Sequence, residues 1–397
     1  MNIVALLSSC FRNDNLSGFV SRGTLNKFTL PVEKQKDFLN SLGVPKDDFE
    51  RSYFQYLCHC QFQNKKQRFL PNAAAFFVLP IFILWCLVKG VFVKRVKIEY
   101  NAIADKGTKK VAPETVNRKY HYTEDLFFEN YALKKKGLLV IMKLVWRYPL
   151  STFFVTKLAL KIAYYEYMIN KYSPEAIIVE NEYSYTSSVL TYFCECYNVR
   201  HVDVMHGEKL FFIHDTFFRY HECYVWSEHY IKLFLELKAA NDQFIIDVPE
   251  SLKIDCSKFE NDAYKSDFKY YLCRYNSEQL RSIVTSMEGI KNKGNKVVYR
   301  PHPFWSDIEV LESIVDKDSI EYPKQVSIQE SISNTDYAVG SYTTVLTQAF
   351  YSGKQVVLDD ITYKEEFDRL KDLSFSFDDT NSIRLSKISK ETHYYTI

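Results

Sequence analysis

The sequence predicts an α/β protein made of two consecutive domains, each built on a parallel sheet with helices packed against it. With 397 residues, the chain is long enough for two domains that each bury a core. An alternation of strands and helices with short connections starts near residue 175 and again near residue 268, which is typical of parallel α/β sheets. Between the two series, residues 247–267 are polar, as expected of a linker. We therefore assign residues 1–255 to the first domain and residues 256–397 to the second.

Before residue 172, the pattern of apolar and polar residues is less regular than in the two α/β series. Residues 1–100 show no regular periodicity, and residues 100–135 are polar, which is typical of loops. Over residues 138–171, apolar side chains recur at helical spacing and predict a long amphipathic helix. This helix is expected to end before Ser173-Pro174, because proline blocks helix continuation.

The first α/β series begins with a continuous apolar run, Ala176–Val179, which is the pattern of a strand buried on both faces. Two more strands are expected in this series, over 201–205 and 223–226. The predicted helices cover 187–197 and 228–240.

The second series has the same character. Its first helix is expected over 277–293, with Ser277 as the expected N-cap. Gly353 is expected to end the last helix of the series. The expected strands cover 269–273, 296–300, 336–339 and 355–358, and the other expected helices cover 329–334 and 343–351.

The amino-acid composition restricts the classes of protein to which the chain can belong. Apolar residues make up 47% of the chain and charged residues 25%, as in folded globular proteins. A formal net charge of +2 argues against a nucleic-acid-binding domain, which would be strongly basic. The nine cysteines contain no CxxC pair and indicate reduced thiols in the cytoplasm. The first residues lack the basic and apolar regions of a signal peptide, so we expect a cytoplasmic location.

One apolar segment complicates this picture. Sixteen residues, 73–88, carry no charge, and basic residues flank them on both sides. As a helix they would reach about 24 Å, which is short of the roughly 30 Å hydrocarbon core, and Pro80 favours a kink. Three interpretations stay open: a buried core helix, peripheral contact of residues 73–93 with the inner membrane, and a true span.

Two polar segments of the second domain follow predicted strands. One is Arg300-Pro301-His302-Pro303, where two prolines fix the backbone and present Arg300 and His302 to an anionic group. The other starts at Gly340 and places hydroxyl groups at the start of a helix, where free N–H groups favour phosphate. Its hydroxyl residues are Ser341, Thr343 and Thr344. Glu330 is expected to accept hydrogen bonds from a ribose. Ordinary helix capping and a structural histidine are the alternatives.

The first domain supplies candidate catalytic groups. Glu180 and Glu182 follow a buried strand, and because adjacent carboxylates repel, one is expected to have a raised pKa and act as a general base. His206 follows the next strand and is an alternative base, with Gly207 allowing close backbone approach. Asp215 is a further catalytic candidate. Acceptor-binding candidates are Lys209 and Arg219.

The remaining motifs give little information about function. The DxD sequence Asp316-Lys317-Asp318 lies in a polar loop, so a metal clamp on a diphosphate is not expected, and no metal ligands are assigned. The chain has no GxxxxGK[ST] loop and no GxGxxG motif, which argues against P-loop NTPases and dinucleotide-dependent dehydrogenases. It has no GxSxG elbow of a hydrolase.

Three motifs in order resemble bacterial surface-polysaccharide transferases of the GT-B fold: His206-Gly207-Glu208-Lys209, Arg300-Pro301-His302-Pro303, and the stretch from Asp336 to Thr344. One similar group comprises sialyltransferases, polysialyltransferases and Kdo transferases that use CMP-sugars. The other comprises teichoic-acid polyol-phosphate transferases. The resemblance covers about residues 175–360. It implies two Rossmann-like domains facing a central cleft, with His302-Pro303 and the hydroxyl residues binding CMP and an acidic motif at Glu180-Asn181-Glu182 supplying the catalytic carboxylate.

The sequence thus predicts a metal-independent glycosyltransferase of capsule, O-antigen or lipopolysaccharide synthesis, without cofactor. Its expected donor is a CMP-linked sialic acid or Kdo-like sugar, and its acceptor a glycan or lipid-linked glycan. Glu182 or His206 would deprotonate the acceptor hydroxyl while the second domain stabilises the departing phosphate. The alternatives are a CDP-polyol phosphotransferase, a nucleotide-sugar epimerase and a catalytically silent binding or assembly subunit.

Overall fold

The computed structural model describes residues 30–61, 65–126, 130–341, 343–378 and 382–390. The chain divides into two compact units, one up to Asp247 and one from Val248 onward. Each contains a parallel, Rossmann-like sheet with helices packed against it. The predicted α/β class with two parallel sheets is therefore confirmed.

The described part of the first unit forms a six-stranded sheet in the order β2-β1-β3-β4-β5-β6, and every neighbouring pair is parallel. The three predicted strands are confirmed within one residue at each end. The other three strands were not predicted: β1 and β2 come from residues 100–135, which we expected to be loops, and β6 follows the helix predicted over 228–240. The strands are β1 (Ala102–Ala104), β2 (Tyr122–Thr123), β3 (Ala176–Val179), β4 (Arg200–Val204), β5 (Glu222–Val225) and β6 (Phe244–Ile246).

Strand β1 was missed because it has only three residues, two of them alanine. All three are fully buried, since β2 and β3 cover both edges. So short an apolar run gives no periodic signal, and the strand is defined by its hydrogen-bonded pairing with β2 and β3.

The absence of structure expected for residues 1–100 is wrong for the part that the structure describes. Three helices lie there: α1 (Val32–Leu42), α2 (Asp48–Cys60) and α3 (Lys65–Val91). In α2 the buried residues recur at helical spacing, and the Asp47 side chain accepts a hydrogen bond from the Glu50 backbone, which caps the helix. Helix α3 runs through Pro71 and Pro80.

The long amphipathic helix predicted over 138–171 is two helices. After α4 (Thr108–Val111) and α5 (Glu114–Lys119) come α6 (Lys135–Arg147) and α7 (Thr152–Tyr172). The break falls at Tyr148-Pro149, because proline has no N–H and its ring disfavours helical backbone at the preceding residue. Helix α7 ends at Ser173, in left-handed conformation, before Pro174 as predicted.

Helix α3 is buried on one face only. It packs on α7 through Ala75, Leu79, Phe82 and Cys86, while its opposite face is exposed. The interpretation of this segment as a core helix therefore holds for a single face. Residues Arg68–Val91 are long and apolar enough, by length and composition, to cross a membrane. The remaining helices of this unit are α8 (Ser187–Glu195) and α9 (Glu228–Glu236), both of which end a few residues earlier than predicted.

The described part of the second unit forms a five-stranded parallel sheet in the order β11-β10-β9-β7-β8. All four predicted strands are present. The bounds are β7 (Ser266–Tyr271), β8 (Val297–Arg300), β9 (Thr335–Gly340), β10 (Gln355–Leu358) and β11 (Ile383–Arg384).

The three helices predicted beside this second sheet are present, and three others, Ile308–Ile314, Lys364–Asp372 and Leu385–Lys390, were not predicted. The N-cap of the first is Asn276 and not Ser277: the Asn276 side chain and Gln279 form a reciprocal capping box. The predicted final helix begins with Thr343 as its N-cap. The helices are α10 (Ser277–Lys291), α11 (Ile308–Ile314), α12 (Ile328–Ser333), α13 (Thr344–Tyr351), α14 (Lys364–Asp372) and α15 (Leu385–Lys390).

Candidate functional site

In the first unit, polar residues gather where β3 and β4 end. The strands are parallel and in register, with Val179 opposite Asp203, so the segments that follow them leave the sheet at the same edge. Glu182 comes from the segment after β3, and His206 and Lys209 come from the segment after β4. Ligands of parallel α/β sheets bind at this carboxyl edge.

Glu182 is the centre of this group. Its side chain is fully buried, and its Oε2 lies 3.2 Å from Lys209 Nζ and 3.3 Å from His206 Nδ1. Its Oε1 is buried and has no hydrogen-bond partner among the described residues. One carboxylate oxygen thus serves two partners while the other is left unsatisfied, which is uncommon for a buried polar atom.

Electrostatics keep this carboxylate ionised. Burial alone would raise the pKa of Glu182, but the charge of Lys209 and the hydrogen bond to His206 outweigh it and lower the pKa. Burial would likewise lower the pKa of Lys209, and the charge of Glu182 raises it. The two groups therefore form a buried ion pair at neutral pH. Asp203 is buried beside them, and burial together with the charge of Glu182 raises its pKa well above the usual value.

His206 connects this buried pair to solvent. About 35% of its side chain is exposed, while its Nδ1 faces the Glu182 carboxylate. A histidine held in this way keeps its proton on Nδ1 and presents Nε2 as a proton acceptor. The arrangement is suited to general-base catalysis by His206, with Glu182 orienting the ring.

The structure gives Lys209 a different place from the one predicted. We expected it to bind an acceptor, but it is buried and paired with Glu182. Asp215 lies close enough for its charge to raise the pKa of Lys209 further, so it belongs to the same electrostatic group. The predicted catalytic role of Asp215 stays a prediction.

The raised pKa expected for one of the adjacent carboxylates falls on Glu180. Burial raises its pKa, and the charges of Asp105 and Glu182 add to that effect. Glu180 lies where the strand order reverses between β1 and β3, a topological switch point that commonly carries ligand sites. Gly107 opposite has a φ of 111°, and a Cβ there would lie 3.2 Å from Glu180 Oε1.

Arg219 lies elsewhere. It precedes β5, at the amino edge of the sheet, whereas His206 follows β4 at the carboxyl edge. Its guanidinium bonds to Asp48 at 2.7 Å and also to Glu195. These ion pairs of Arg219 join α2, α8 and the start of β5, and its predicted contact with an acceptor stays a prediction.

Sequence reasoning missed the residues that hold the segments after β3 and β4 in place. The Asp203 carboxylate accepts from Asn181 N at 2.9 Å, and Tyr220 donates its hydroxyl to Asn181 O at 2.8 Å. Gln55 on α2 donates to both Glu182 O and His214 O. A buried Asp inside an apolar strand was the available signal for the first of these. Gln55 gives none, because it is far away in sequence.

In the second unit, the loop after β8 holds His302. Its backbone N–H donates to Ser306 Oγ at 2.7 Å, and Ser306 donates in turn to Cys273 O after β7. The Phe304 N–H donates to His302 Nδ1 at 3.2 Å, so the ring carries its proton on Nε2. Burial lowers the pKa of His302. At neutral pH this side chain is a neutral hydrogen-bond donor, and Pro303 follows it on the surface.

The hydroxyl residues lie at the switch point of the second sheet, between β7 and β9. Ser341 Oγ is 2.6 Å from the hydroxyl of Tyr275, a residue outside the predicted site. Thr343 caps α13 by accepting from Val345 N at 3.4 Å, and Thr344 is the exposed first residue of the helix. Gly340 ends β9 against the Tyr271 carbonyl. The backbone N–H groups in the first turn of α13 that have no partner within the helix therefore lie at this edge of the sheet.

Two predicted donor-binding residues are engaged within the protein. Arg300 is buried; it donates to Glu321 Oε1 at 2.6 Å and to Val326 O at 2.9 Å. Its guanidinium is thus held in an internal ion pair, and its expected contact with an anionic ligand stays a prediction. Glu330 uses Oε2 in a capping box with Ser327, which lowers its pKa. Contact of Glu330 with a ribose stays a prediction.

Among the residues that the structure describes, no group of three or more His, Cys, Asp or Glu side chains could hold a metal ion. In the DxD sequence, Asp316 is largely exposed and faces Lys291 at 3.8 Å.

No protein-family model matches the chain, and no curated protein matches it. Similar solved structures include UDP-GlcNAc 2-epimerase from Methanocaldococcus jannaschii (12% identity, 76% of this chain and 95% of that chain, TM-score 0.39). A variant of the wall teichoic acid polymerase TagF is 9% identical over 83% of this chain and 88% of that chain (TM-score 0.37). Arabidopsis thaliana UGT89C1 complexed with UDP-L-rhamnose is 9% identical over 75% and 82% (TM-score 0.36). Similarity this low assigns no function.

Proposed function

We propose that the chain is a metal-independent glycosyltransferase in which His206 is the general base. The observation that carries this proposal is the contact of 3.3 Å between His206 Nδ1 and the buried Glu182 carboxylate, with the imidazole partly open to solvent. A buried carboxylate that orients a histidine is a recurrent means of holding a base in its productive tautomer. Glu182, whose pKa is lowered, is a weak base and acts as the orienting group. Glu180, whose pKa is raised, is the second candidate for the base.

The donor is assigned to the second unit. His302 offers a neutral Nε2–H donor, and the N-terminus of α13 offers backbone N–H groups beside Ser341 and Thr343. Both are suited to a single phosphate group without a metal ion, because they stabilise the negative charge that grows as the phosphate leaves. The proposed donor is a CMP-linked sialic acid or Kdo-like sugar, in line with the motif resemblance.

The proposed step is a group transfer. The acceptor hydroxyl gives its proton to His206 Nε2 while its oxygen bonds to the anomeric carbon of the donor sugar. The bond between that carbon and the phosphate oxygen breaks, and CMP leaves with the electron pair. We propose that the product belongs to a capsule, O-antigen or lipopolysaccharide, built at the cytoplasmic face of the inner membrane.

A thermal-shift panel of CMP, CDP, UDP, GDP and ADP tests the donor assignment on the wild type and on His302→Ala. A ligand that binds only the folded chain raises Tm by mass action. Stabilisation by CMP or CDP that is lost in the variant supports a cytidine donor at His302. Stabilisation by UDP or GDP retains a glycosyltransferase and rejects the CMP-sugar. No response to any nucleotide favours a catalytically silent subunit.

The alternative of a CDP-polyol phosphotransferase rests on the His206-Gly207-Glu208-Lys209 stretch, which is similar to a motif of the teichoic-acid polyol-phosphate transferases. Both reactions release CMP, so the substrates must separate them. Turnover with CDP-glycerol and none with CMP-sialic acid would favour the phosphotransferase. A product formed without any acceptor would instead indicate an epimerase.

A further inference from the structure

The outer face of α3 is an uncovered apolar surface. Phe77, Ile81, Leu84 and Val88 recur at helical spacing and are between 55% and 70% exposed. They lie opposite the buried face that packs on α7. From residue 69 to residue 88 the helix has no charged side chain. A continuous apolar strip of this kind marks an interaction site.

Helix α3 is fastened to the unit along its length. Near its start, Asn72 Oδ1 accepts from Phe153 N at 3.0 Å. Near its end, Leu133 N donates to Cys86 O at 2.9 Å, and Gly90 lies so close to the Leu133 carbonyl that a Cβ there would approach its oxygen to 2.0 Å. To cross a bilayer, the helix would have to give up these contacts and the packing on α7.

A second exposed strip belongs to α6, which also packs on α7. Leu139, Met142 and Trp146 face solvent at helical spacing, and Leu150 follows in the loop. Trp146 is 87% exposed. Tryptophan is enriched where proteins meet the membrane interface, because its ring is apolar and its N–H is polar.

The charged residues of α3 and of the segment directly after it are basic. Residues 65–98 contain seven basic residues and no acidic one. At the C-terminal end of the helix, a pocket is lined by Lys89, Lys94 and Lys171 together with Asn130, Tyr131 and Tyr167. Lys171 Nζ donates to the Tyr167 hydroxyl at 2.7 Å, which raises the pKa of Lys171. Among the described residues that line this pocket there is no carboxylate.

We propose that α3 lies flat on an anionic phospholipid surface, with its outer strip in the acyl–headgroup boundary and a lipid phosphate held in the lysine pocket. Apolar area supplies the insertion and the basic residues supply attraction to the anionic leaflet. A second copy of the chain is a poorer occupant, since pairing two such strips would bring like-charged lysines together. The proposal is independent of the transferase chemistry.

Vesicle flotation of the full chain tests the proposal. The probes are vesicles of phosphatidylcholine alone and vesicles that also contain phosphatidylglycerol. Each is used at low salt and at about 0.5 M salt, because added salt shortens the range of electrostatic attraction. We expect binding to the anionic vesicles, weakened by salt. Equal binding to both compositions would overturn the assignment of a lipid phosphate to the lysine pocket. No binding to either composition would overturn the whole proposal.

Two variants locate the surface. Phe77→Ser/Ile81→Ser/Leu84→Ser removes three outer apolar side chains and is expected to weaken binding at least about a hundredfold. Lys89→Gln/Lys94→Gln is expected to weaken binding to anionic vesicles about 25-fold, or about fivefold for each charge. The matched controls are Val44→Ser and Lys232→Gln/Lys324→Gln, exposed residues outside the sequence of α3 that should leave binding unchanged. Melting curves verify that each variant is folded.

Three further outcomes decide the geometry. If alkaline carbonate extracts the chain from cell membranes, α3 lies on the surface; if it does not, the flat orientation is wrong. If the triple serine variant dissociates a dimer in sedimentation while vesicle binding persists, a second copy covers the strip and the proposal is overturned. Vesicle binding without turnover would reject only the transferase, and turnover without vesicle binding would reject only the membrane surface.

Discussion

Glu321 in the second unit and Glu182 in the first are buried carboxylates that each contact two cationic or basic side chains, and the two clusters differ in how completely they are satisfied. Glu321 bonds to Lys269 through Oε2 and to Arg300 through Oε1, both at 2.6 Å. Lys269 also donates to Ser331 O. Glu182 offers only Oε2 to Lys209 and His206, at 3.2 and 3.3 Å.

The difference separates a structural cluster from a chemical one. All three members of the Glu321 cluster are buried, and both carboxylate oxygens have short bonds. The Glu182 cluster has longer contacts, one unsatisfied oxygen among the described residues and a histidine that reaches solvent. A cluster with unused bonding capacity and access to solvent can respond to a ligand or a proton, whereas a saturated one can only hold the fold together.

The sharpest way to break this comparison is to remove His206. His206→Ala is expected to lower turnover of the proposed reaction by about 10²–10⁴-fold, the usual contribution of a general base. The measurement is kcat with the donor selected by the thermal-shift panel, with His121→Ala as the control because that histidine is exposed and away from the cluster. Loss of turnover in Glu180→Gln with none in His206→Ala would move the base to Glu180.

The saturated cluster should show the opposite response. Glu321→Gln leaves Lys269 and Arg300 buried beside a neutral partner, so we expect the free energy of unfolding to fall by about 3–5 kcal/mol. Turnover below the melting transition should change little. Denaturant unfolding of the variant and of Glu312→Gln, a surface carboxylate, measures the effect. A large loss of kcat in folded Glu321→Gln would place this cluster in the chemistry.

Acid stability should also distinguish the Glu182 carboxylate. Its pKa is lowered in the fold from the ordinary 4.5, so its ionised form stabilises the protein above that value. This contribution is lost as the pH falls below 4.5 through the lower pKa of the folded state. The pKa of Asp203 is raised, which acts in the opposite sense: its protonated form favours the fold, and this contribution is lost as the pH rises.

Melting the wild type and Glu182→Gln between neutral pH and about pH 3 tests this contribution, over the range below the usual glutamate pKa. We expect a shallower acid decline in the variant, which lacks the titrating group. Parallel curves would show that Glu182 does not form the ion pair.

The smallest effect is expected at the hydroxyl residues before α13 in the second unit. Thr343→Ala removes the cap of α13, and at a distance of 3.4 Å we expect a loss of roughly 0.5–1 kcal/mol in unfolding free energy. Nucleotide stabilisation should fall only modestly, since the backbone N–H groups remain. Thermal shift of Thr343→Ser, which restores the hydroxyl, is the control. If Thr343→Ala abolishes nucleotide binding, the hydroxyl itself is a ligand group.

Much of the fold was predictable because its strands are short apolar runs between polar loops. Ala176–Val179 and Gln355–Leu358 appear at the predicted bounds. The misses have two different causes. Strand β1 has too few residues for a pattern, and α6 and α7 merge in a periodic analysis that gives too little weight to Pro149.

The candidate site was predictable as a set of segments but not as a set of roles. His206 and His302 were selected because they follow strands, and parallel topology does place such segments at one edge. Arg300 was selected for the same reason, yet its side chain turns inward to Glu321, a partner 21 residues away. Tyr275 was overlooked, although its hydroxyl holds Ser341.

The sequence by itself determined the α/β class, the strands of both sheets that carry candidate residues, and the segments from which those residues come. These follow from local patterns of apolar and polar side chains, which act over a few residues. Only the tertiary structure decided which carboxylate is ionised, which cation is already engaged and which face of α3 is uncovered. Those properties depend on burial and on partners that are distant in the chain, and no local pattern encodes them.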